Sequence, residues 1–577
     1  MKRKLAFDIE TDGIFATKVH CIVAIDIDTN EQFVYRSDRG NLDDFRDLLL
    51  DCSELIGHNI IGYDIPTLER LMGITFGEVR LTDTLVMSRL ANPSRVGGHS
   101  LKNLSRGSDD EKTHYEDWSV LTDEMVEYCI QDVVATVGVY KRLLTELKDF
   151  SSESIDLEHK VQTIIQRQVR YGWLLDTFRC YDLLAKLKER KFELEDEVHK
   201  RFRPKLKFVK EVTPKIKKDG TMSAVGLKFL GDSWTNVSGC FSRLELVTFN
   251  LGSRQQIGEY LQDFGWKPKE LTPTGHPIVD EKVLKGIDIP EAKLIAEYLL
   301  VQKRIAQVDS WLSAVDDRDG RVHGYVNTNG AVTGRMTHSS PNVAQVPAVY
   351  SEYGEDCRSC WTVKEGYKLV GCDASGLELR MLAHYMNDEQ YTNEVLHGDI
   401  HTANQQNAGL ATRDQAKTFI YAFLYGAGDA KIGSIVGGTA TEGKRLKAKF
   451  LDNTPSLQRL RDNVGIASGR GYLRGLDGRR VMVRSEHSAL NTLLQSAGAI
   501  VMKKALIILD EYAKIWGIDY EFVGNIHDEF QVEVREDHAD KFGMLAVASI
   551  QAAGKQLGLR CDLDGEYKVG NNWAETH

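Results

Sequence analysis

Apolar and polar residues alternate near the start of the chain in the manner of β-strands. The segments KLAFDIET and HCIVAIDI place apolar side chains at nearly every second position, which is the period of a strand. Strand-like and helix-like segments then alternate to about residue 150. This pattern predicts a compact α/β domain over residues 1–150.

The periodicity becomes helical from SSESIDLEHKVQTIIQRQVRYG onward, and Gly172 is the predicted end of that helix. A separate helix-rich unit is therefore expected to begin near residue 151. Further along, VKEGYKLVGCD (363–373) predicts a hairpin that leads into a buried strand. The segment YEFVGNIHDEFQVEV predicts a second strand with acidic residues in its middle.

Length and composition indicate a globular, multi-domain protein. At 577 residues the chain is expected to form roughly three to five domains. Hydrophobic residues make up 42% and charged residues 27%, and we find no apolar run of roughly 18 residues and no signal peptide. A soluble cytoplasmic protein without a membrane segment is the expectation.

Charge and cysteine content restrict the possible functions. The net charge of −11 argues against binding nucleic acid by bulk charge alone. The segment Lys200 to Lys218 nevertheless holds nine cations and one acid, which is either a solvated face or a stripe that contacts phosphates. The nine scattered cysteines fit free thiols, and the CRSC segment lacks the further ligands that a zinc site needs.

A first set of acidic residues lies in the N-terminal domain. Asp8 and Glu10 are two apart on a strand, so both leave the same face, which is either solvated or functional. Asp64 precedes Pro66 at a predicted helix start, and YCIQD places a tyrosine and an aspartate four apart on a helix. Four carboxylates and a phenol could hold two divalent cations, which suits phosphodiester hydrolysis.

A second set of acidic residues lies on the two later strands. Asp373 ends one strand and is followed by a small-residue turn and a helix that carries Glu378. With Asp528 of IHDEF it would give one carboxylate from each strand, a two-metal arrangement for phosphoryl transfer. Alternatively, Asp373 is a helix N-cap and Asp528 a turn residue in a hairpin.

A helix after Thr412 carries two cations and two aromatic rings in one stripe. Arg413, Lys417, Tyr421 and Tyr425 are each four residues apart, so they share one side of the helix. Arginine and lysine suit a triphosphate, and a tyrosine face can stack on a base. The Gly-Ala-Gly at 426–428 is predicted to end the helix.

The first set of motifs resembles the DnaQ-like 3′→5′ proofreading exonucleases. DIET, HNIIGYD and YCIQD occur in the family's order between Asp8 and Asp132. The resemblance implies an RNase H-like exonuclease domain at residues 1–150. It also implies that Asp8, Glu10, Asp64 and Asp132 bind metal and that Tyr128 orients the attacking water.

The second set resembles the family A DNA polymerases, especially those of short-tailed phages of the coliphage T-seven group. DASGLELR, RDQAKTFIYAFLYGAG and HDE carry the likeness, and TGRMTHSSPNVAQVP, NTLLQSAGA and NNWAETH extend it along the chain. The resemblance implies an α/β multi-domain fold with a right-hand polymerase. The implied ranges are 151–320 for the thumb and connecting helices, 321–384 and 486–577 for the palm, and 385–485 for the fingers.

The same resemblance implies the polymerase site residues. Metal would be bound by Asp373, Asp528 and the carbonyl of Ala374, and Glu529 would support the primer end. Nucleotide contacts would come from His401, Arg413, Lys417, Tyr421 and the steric-gate residue Glu378. DNA contacts would come from Arg335, Gln495, Tyr425 and His527.

The implied activity is template-directed extension of a primer 3′ end with dNTPs by two-metal phosphoryl transfer, with a separate two-metal 3′→5′ exonuclease. The protein would replicate phage DNA in the cytoplasm of an infected bacterial host. We expect two Mg²⁺ ions per active site, for which Mn²⁺ can substitute. The expected partners are primer-template DNA, dNTPs, a phage helicase-primase and a single-stranded-DNA-binding protein.

Thioredoxin, which binds a thumb insertion in related phage enzymes, is not an expected partner here. Only 73 residues separate Asp176 of GWLLD from Asn250. That length is too short for both a thumb helix pair and an insertion, so we expect no insertion.

Three other functions fit the motifs less well. A nuclease with a decayed polymerase module would have lost Asp373, Asp528 or Lys417, and all three are present. A non-catalytic DNA-binding scaffold would not need acids and cations of the metal and nucleotide sites to follow one another along the chain in this order. A single-subunit RNA polymerase is disfavoured by Glu378 and by the exonuclease motifs.

Overall fold

The structure is a computed structural model that describes residues 2–77, 79–107, 112, 114–213, 215–221, 240–268 and 270–577. Within these residues the chain divides into two compact units. One unit comprises Met1–Leu175 and Ala314–His577, and the other comprises Asp176–Ser313. The five domain ranges expected from the sequence stay predictions.

A five-stranded sheet forms the N-terminal part of the first unit. Its strands are β1 (Arg3–Thr11), β2 (Val19–Asp26), β3 (Gln32–Arg36), β4 (Cys52–Gly57) and β5 (Arg80–Asp83), in the spatial order β3-β2-β1-β4-β5. The helices are α1 (Phe45–Leu50), α2 (Asp64–Met72), α3 (Thr84–Ala91), α4 (Leu101–Ser105) and α5 (Asp123–Glu146). The strands predicted at the start of the chain are confirmed.

Strand β1 is covered on both faces. Leu5 and Phe7 pack in one apolar cluster with α1 and α2, whereas Ala6 packs in another with α5. Asp8 and Glu10 follow Ala6 at the strand period and therefore face α5. Glu10 is buried, so the alternative of a solvated acidic face is wrong.

Helix α6 (Ser152–Tyr171) follows the sheet and leads into β6 (Trp173–Leu175). It ends at Gly172, as predicted, where the backbone adopts φ = 71°. That conformation favours glycine. A Cβ at this position would also come within 2.8 Å of the His323 ring.

The second unit holds two long helices and a β-ribbon. Its elements are α7 (Thr177–Arg201), β7 (Lys205–Val212), β8 (Phe241–Val247), α8 (Arg254–Asp263), α9 (Glu281–Lys285) and α10 (Pro290–Leu312). Helices α7 and α10 pack together, and Arg190 on α7 pairs with Glu297 on α10 at 2.7 Å.

The premise that the thumb helix pair lies between Asp176 and Asn250 is wrong. The helix that pairs with α7 begins at Pro290 and not before Asn250, so residues 202–289 lie between the two helices. Part of this segment forms the β7–β8 ribbon. The expectation that the chain lacks a thioredoxin-binding insertion stays a prediction.

The rest of the first unit contains a central antiparallel sheet and a helical region. The strands are β9 (Val315–Asp316), β10 (Arg321–Val322), β11 (Tyr325–Asn327), β12 (Thr337–Ser339), β13 (Trp361–Thr362), β14 (Tyr367–Ala374), β15 (Tyr472–Arg474), β16 (Arg480–Met482), β17 (Tyr520–Ile526), β18 (Glu529–Arg535) and β19 (Gly565–Gly570). The helices are α11 (Gly354–Ser359), α12 (Leu377–Met386), α13 (Glu389–His397), α14 (Ile400–Ala408), α15 (Arg413–Leu424), α16 (Asp429–Ser434), α17 (Ala440–Asp452), α18 (Pro455–Ser468), α19 (Ala489–Ile515) and α20 (Ala539–Gln556).

Two predictions about these strands need correction. The prediction of a hairpin at residues 363–373 is wrong. Strand β14 pairs with β18 and β19, whereas the preceding strand, β13, pairs with β6. The segment predicted as one strand near the C-terminus is two strands, β17 and β18, joined at His527 and Asp528. The central sheet thus has the order β17-β18-β14-β19.

Helix α19 is the apolar centre of this part of the molecule. Contrary to the expectation of no long apolar run, the segment Glu486–Ile515 is long and apolar enough to cross a membrane, but its most apolar part is 89% buried inside the protein. Such burial is typical of a core helix. Its apolar residues join the cluster that contains the central sheet.

A buried group of charged residues joins α6 to α19 and to the loop between β15 and β16. Glu158 on α6 accepts from Arg479 at 2.6 Å and from Lys503 on α19 at 2.7 Å. Arg479 also pairs with Asp477 at 2.6 Å. All four side chains are buried, so each charge depends on its partners for compensation.

Removing the Glu158 charge should destabilise this unit strongly. In Glu158→Gln, the cations of Arg479 and Lys503 keep only one carboxylate, Asp477. Breaking such a buried pair costs about 3–5 kcal/mol. We expect a clear decrease in the midpoint of chemical unfolding followed by fluorescence.

The matched control is Glu511→Gln on α19. Glu511 pairs with Lys160 at 3.6 Å, and both side chains are more than half exposed. An exposed pair contributes about 1 kcal/mol or less. Equal shifts in the two variants would contradict the assigned role of Glu158.

Candidate active sites

The N-terminal carboxylates lie where β1, α2 and α5 meet. Asp64 is the first residue of α2, and its Oδ1 accepts a hydrogen bond of 3.2 Å from the backbone N–H of Ile9. Asp132 is buried on α5. Asp8 lies close enough to Asp64, Glu10 and Asp132 for all three to raise its pKa. The structure therefore brings the four predicted residues together.

Burial is the main cause of raised pKa values in this group. It raises the pKa of Glu10 to about 9 and that of Asp64 to about 7. Burial, followed by repulsion from Asp64 and Glu10, raises the pKa of Asp8 well above its usual range. Divalent cations would remove this repulsion, and carboxylate oxygens are the ligands that Mg²⁺ and Mn²⁺ prefer.

Cys129 also borders this group. Ligand atoms of Asp8, Glu10 and Cys129 lie within 4.8 Å of one another. Its thiol is buried, and sulfur is a soft donor that suits softer metals than Mg²⁺ or Mn²⁺. The carboxylates alone are therefore the suitable donors for a hard cation.

Tyr128 lies one helical turn before Asp132, as predicted. Burial raises the pKa of its phenol to about 12, so the hydroxyl is protonated at neutral pH and can donate a hydrogen bond. The Lys112 Nζ lies 4.7 Å from the Tyr128 ring centroid and forms an ion pair with Asp132. Sequence reasoning missed Lys112, because an acid-rich segment such as SDDEKTH gives no signal distinct from a solvated loop.

The second pair of carboxylates lies at adjoining strand ends. Asp373 stands directly opposite Glu529 in the β14–β18 ladder. The backbone N–H of Ala374 donates to the carbonyl of Asp528 over 3.1 Å. Directly opposed residues have Cβ atoms about 4.5–5.5 Å apart, so the three carboxylates lie in one small region.

Of the two alternative roles considered for these aspartates, helix N-cap for Asp373 and hairpin turn residue for Asp528, the structure bears out only the second. Asp528 is indeed a turn residue of a hairpin. Asp373 is not the N-cap of α12, because that position belongs to Gly376. In the hairpin turn, His527 adopts φ = 58°, a left-handed conformation that is uncommon outside glycine and concentrates at functional sites.

Burial and like charge also act on this pair. Partial loss of solvent contact, followed by repulsion from Asp528 and Glu529, raises the pKa of Asp373 to about 7, although its side chain is exposed at the strand end. Burial is likewise the largest cause of the raised pKa of Asp528. The donors are again carboxylates, and the carbonyl of Ala374 adjoins them, so the residues present fit a hard divalent cation.

Glu529 differs from the two aspartates. Burial acts to raise its pKa, but hydrogen bonds from His577, Gln531 and Trp573 outweigh that effect and lower it. Trp573 Nε1 donates to Oε1 over 2.8 Å, and His577 Nδ1 lies 3.0 Å from Oε2. Its carboxylate is thus held by the protein, and sequence reasoning identified neither His577 nor Gln531 as its partners.

The predicted stripe lies on α15, which a capping box at Thr412 begins. Arg413 and Lys417 are exposed, and Arg413 pairs with Asp399 at 2.7 Å. Tyr421 is half-buried with its ring centroid 6.3 Å from that of His401. His401 thus lies beside the stripe.

The end of α15 contacts the start of α12. The Tyr425 hydroxyl donates to Glu378 at 2.8 Å and 2.9 Å. Arg335 Nη2 lies 3.5 Å from the same carboxylate. Gly426 then adopts φ = 72°, and a Cβ there would come within 2.9 Å of the His487 carbonyl, so the predicted glycine stop is confirmed.

Two of the remaining predicted DNA contacts, Arg335 and His527, lie close enough to Asp528 for their charges to act on its pKa. Arg335 and His527 line a small cavity together with Glu529 and Lys503. Gln495 is partly buried on α19, about one turn before Ala499, which lines the same cavity.

Family comparisons agree with this arrangement. The family model described as DNA polymerase family A matches residues 233–575. The family model described as 3′-5′ exonuclease matches residues 1–148. The first match covers the aspartate pair and α15, and the second covers the four N-terminal carboxylates.

Similar proteins occur among phages. The chain is 36% identical to the DNA-directed DNA polymerase of Escherichia phage T7, with 99% of each chain covered. It is 35% identical to that of Enterobacteria phage T3, with 99% of this chain and 100% of the relative covered. A solved structure, the POL domain of Pol1 from M. smegmatis in complex with DNA primer-template and dNTP, has a TM-score of 0.79 at 19% identity and covers 100% of this chain and 96% of its own.

Proposed function

Because the chain belongs to DNA polymerase family A and carries a 3′-5′ exonuclease domain, we propose that Asp373 and Asp528 form its primer-extension site. One observation carries this proposal: the β14–β18 register brings Asp373 beside the hairpin turn that holds Asp528. Two Mg²⁺ ions, or Mn²⁺ in their place, would supply activation of the primer 3′-hydroxyl and charge neutralisation at the leaving group.

We further propose that α15 receives the incoming dNTP. Arg413, Lys417 and His401 would bind the triphosphate, and Tyr421 would stack near its sugar and base. Exposure of the two cations leaves them accessible to such a ligand. Tyr425 would lie under the templating position.

Glu378 would exclude ribonucleotides. Its carboxylate, which Tyr425 and Arg335 contact, would occupy the space that a ribose 2′-hydroxyl needs. Arg335 and Gln495 would contact the minor groove of the terminal pair, where acceptors common to all base pairs are available. His527 would contact DNA beside the catalytic pair, and Glu529 would support the primer end.

The N-terminal carboxylates would form the exonuclease site. Asp8, Glu10, Asp64 and Asp132 would bind two further Mg²⁺ ions, and the protonated Tyr128 would orient the attacking water. The four carboxylates are suitable ligands for these ions, and the repulsion among them, which bound cations would relieve, supports their assignment as metal ligands.

The expected setting follows from the phage relatives. The T7 and T3 proteins are phage DNA polymerases, which supports a role in phage DNA replication in the cytoplasm of an infected bacterial host. Primer-template DNA and dNTPs would be the substrates. A helicase-primase and a single-stranded-DNA-binding protein would be the replication partners.

The two activities should be separable by mutation. We expect Asp528→Asn to lower primer extension more than about 100-fold, because losing a direct ligand costs more than losing a residue that supports one. Degradation of single-stranded primer should persist. Asp8→Ala combined with Glu10→Ala should have the opposite effect, as gel-based extension and degradation assays would show.

Asp537→Asn is the control for this comparison. Asp537 is exposed and pairs with Arg535 just beyond β18, so both activities should remain. An Asp528→Asn enzyme that still extends primers at the normal rate would refute the proposed extension site.

Tyr421 should determine the use of dideoxynucleotides. Its hydroxyl can replace the missing 3′-hydroxyl in local hydrogen bonding, so the protein should discriminate weakly against ddNTPs. Losing one hydrogen bond of about 0.5–1.5 kcal/mol predicts up to about tenfold stronger discrimination in Tyr421→Phe. Single-nucleotide kinetics would measure this, with dNTP incorporation as the internal control, and an unchanged ddNTP/dNTP ratio would refute the assignment.

The basic run, the segment Lys200 to Lys218 with its nine cations, should contribute salt-dependent DNA binding. Lys205, Lys207 and Lys210 lie on β7, whose middle residues are exposed, so we place the phosphate contacts on this strand. Pro214 of the run lies outside the described residues. Each lost phosphate contact makes the negative slope of log K for DNA binding against log salt concentration shallower by about 0.9. Substituting Lys205, Lys207 and Lys210 by Gln should therefore flatten the slope for primer-template binding.

Substituting three exposed lysines of the N-terminal part by Gln provides the comparison, namely Lys102, Lys141 and Lys148. This variant should keep the original slope in fluorescence anisotropy titrations. If the β7 variant also keeps it, the basic run is merely solvated.

A further inference from the structure

A buried aspartate organises the turn that precedes Asp64. Asp83, the last residue of β5, is 1% exposed. Its Oδ1 accepts from the backbone N–H groups of Asn59 at 2.8 Å and Leu85 at 2.9 Å, and its Oδ2 accepts from that of Ile61 at 3.1 Å. One carboxylate thus ties the turn between β4 and α2 to the start of α3.

This turn determines where α2 begins. Asn59 adopts φ = 64°, and its carbonyl accepts from the N–H groups of Gly62 and Tyr63. The next residue is Asp64, whose Oδ1 accepts from Ile9 on β1. A displacement of the turn would therefore move Asp64 relative to the other carboxylates.

Asp83 is itself held by a residue outside the exonuclease match. The backbone N–H of Asp83 donates to His159 Nε2 on α6 over 2.9 Å, and His159 Nδ1 lies 2.7 Å from the carbonyl of Ile155. A backbone N–H can only donate and a carbonyl can only accept. The imidazole must therefore be neutral, with its proton on Nδ1.

The helix that carries His159 is anchored on its other side. The adjacent residue, Glu158, is buried with Arg479 and Lys503 of the polymerase part. Two consecutive side chains of α6 thus contact the two functional parts of the first unit. His159 is buried as well, so water cannot readily replace its hydrogen bond to Asp83.

We propose that His159 is a positioning residue of the exonuclease: from α6 it fixes the Asp83 backbone, and through the Asp83 carboxylate it fixes the turn that places Asp64. The inference rests on the proposed role of Asp64 as a metal ligand. It means that the exonuclease site is completed by a residue beyond the segment 1–148 that matches the exonuclease family.

The test compares His159→Leu with His159→Gln in the full-length chain. Leucine removes the acceptor, whereas the glutamine amide can accept from Asp83 and donate to Ile155. Losing a residue that supports a metal ligand typically costs 10–100-fold in metal affinity. We expect His159→Leu to raise the Mg²⁺ concentration for half-maximal degradation of single-stranded DNA at least about tenfold, with primer extension unchanged.

His159→Gln should restore the Mg²⁺ dependence to within about threefold, since it retains both hydrogen-bonding functions. Asp83→Asn, which places an amide donor against a backbone N–H, should reproduce the His159→Leu shift even if the leucine variant folds poorly. The matched control is Asp156→Asn on the same helix. Asp156 pairs with Arg80 of β5 at an exposed position at 2.7 Å, so its loss should leave the Mg²⁺ dependence unchanged.

Three results would overturn the inference: an unchanged Mg²⁺ dependence in His159→Leu and Asp83→Asn, an equal loss of degradation and extension, or a glutamine variant as defective as the leucine variant. The proposed function has a separate control. If the unmodified protein degrades single-stranded DNA and Asp8→Ala with Glu10→Ala does not abolish this, the exonuclease assignment fails. If only the His159 and Asp83 results fail, the exonuclease assignment stands.

Discussion

Repulsion between carboxylates that the fold holds together is the constraint on which both sites depend. Holding acidic side chains near one another, with at least part of the group out of water, is unfavourable unless cations compensate them. The protein nevertheless places Asp373 beside Asp528 through a β-ladder and a hairpin turn, and Asp8 beside Asp64 through a strand and a helix start. Divalent cations bound to these groups would convert an unfavourable arrangement into a favourable one.

Helix α6 connects the parts that hold the two sites. Glu158 and its buried partners join the helix to α19 and the β15–β16 loop, and His159 joins it to β5. Arg167 adds pairs with Asp510 at 2.7 Å and with Glu521 at 3.0 Å. The exonuclease and polymerase parts accordingly belong to one compact unit in the structure.

Local periodicity predicted the elements that carry most of the site residues. The two-residue period put Asp8 and Glu10 on one face of β1, and the four-residue period put Arg413 and Tyr421 on one side of α15. The glycines at 172 and 426 ended helices as expected, because both adopt positive φ. These features depend only on residues that are close in the chain.

Features that depend on distant partners could not be predicted in the same way. The hairpin at 363–373 failed because β14 finds its partners in β18 and β19, which follow much later in the chain. Lys112, His159 and His577 gave no sequence signal, since each acts through a contact with a residue far along the chain. The helix that pairs with α7 was missed because it follows an intervening ribbon and not a short loop.

The most direct measurement of the central claim is anomalous diffraction from the protein crystallised with Mn²⁺, a dideoxy-terminated primer-template and the matching dNTP. We expect two manganese peaks between the carboxylates of Asp373 and Asp528, and further manganese among Asp8, Glu10, Asp64 and Asp132. Manganese bound at the triphosphate with neither Asp373 nor Asp528 as a ligand would contradict the claim.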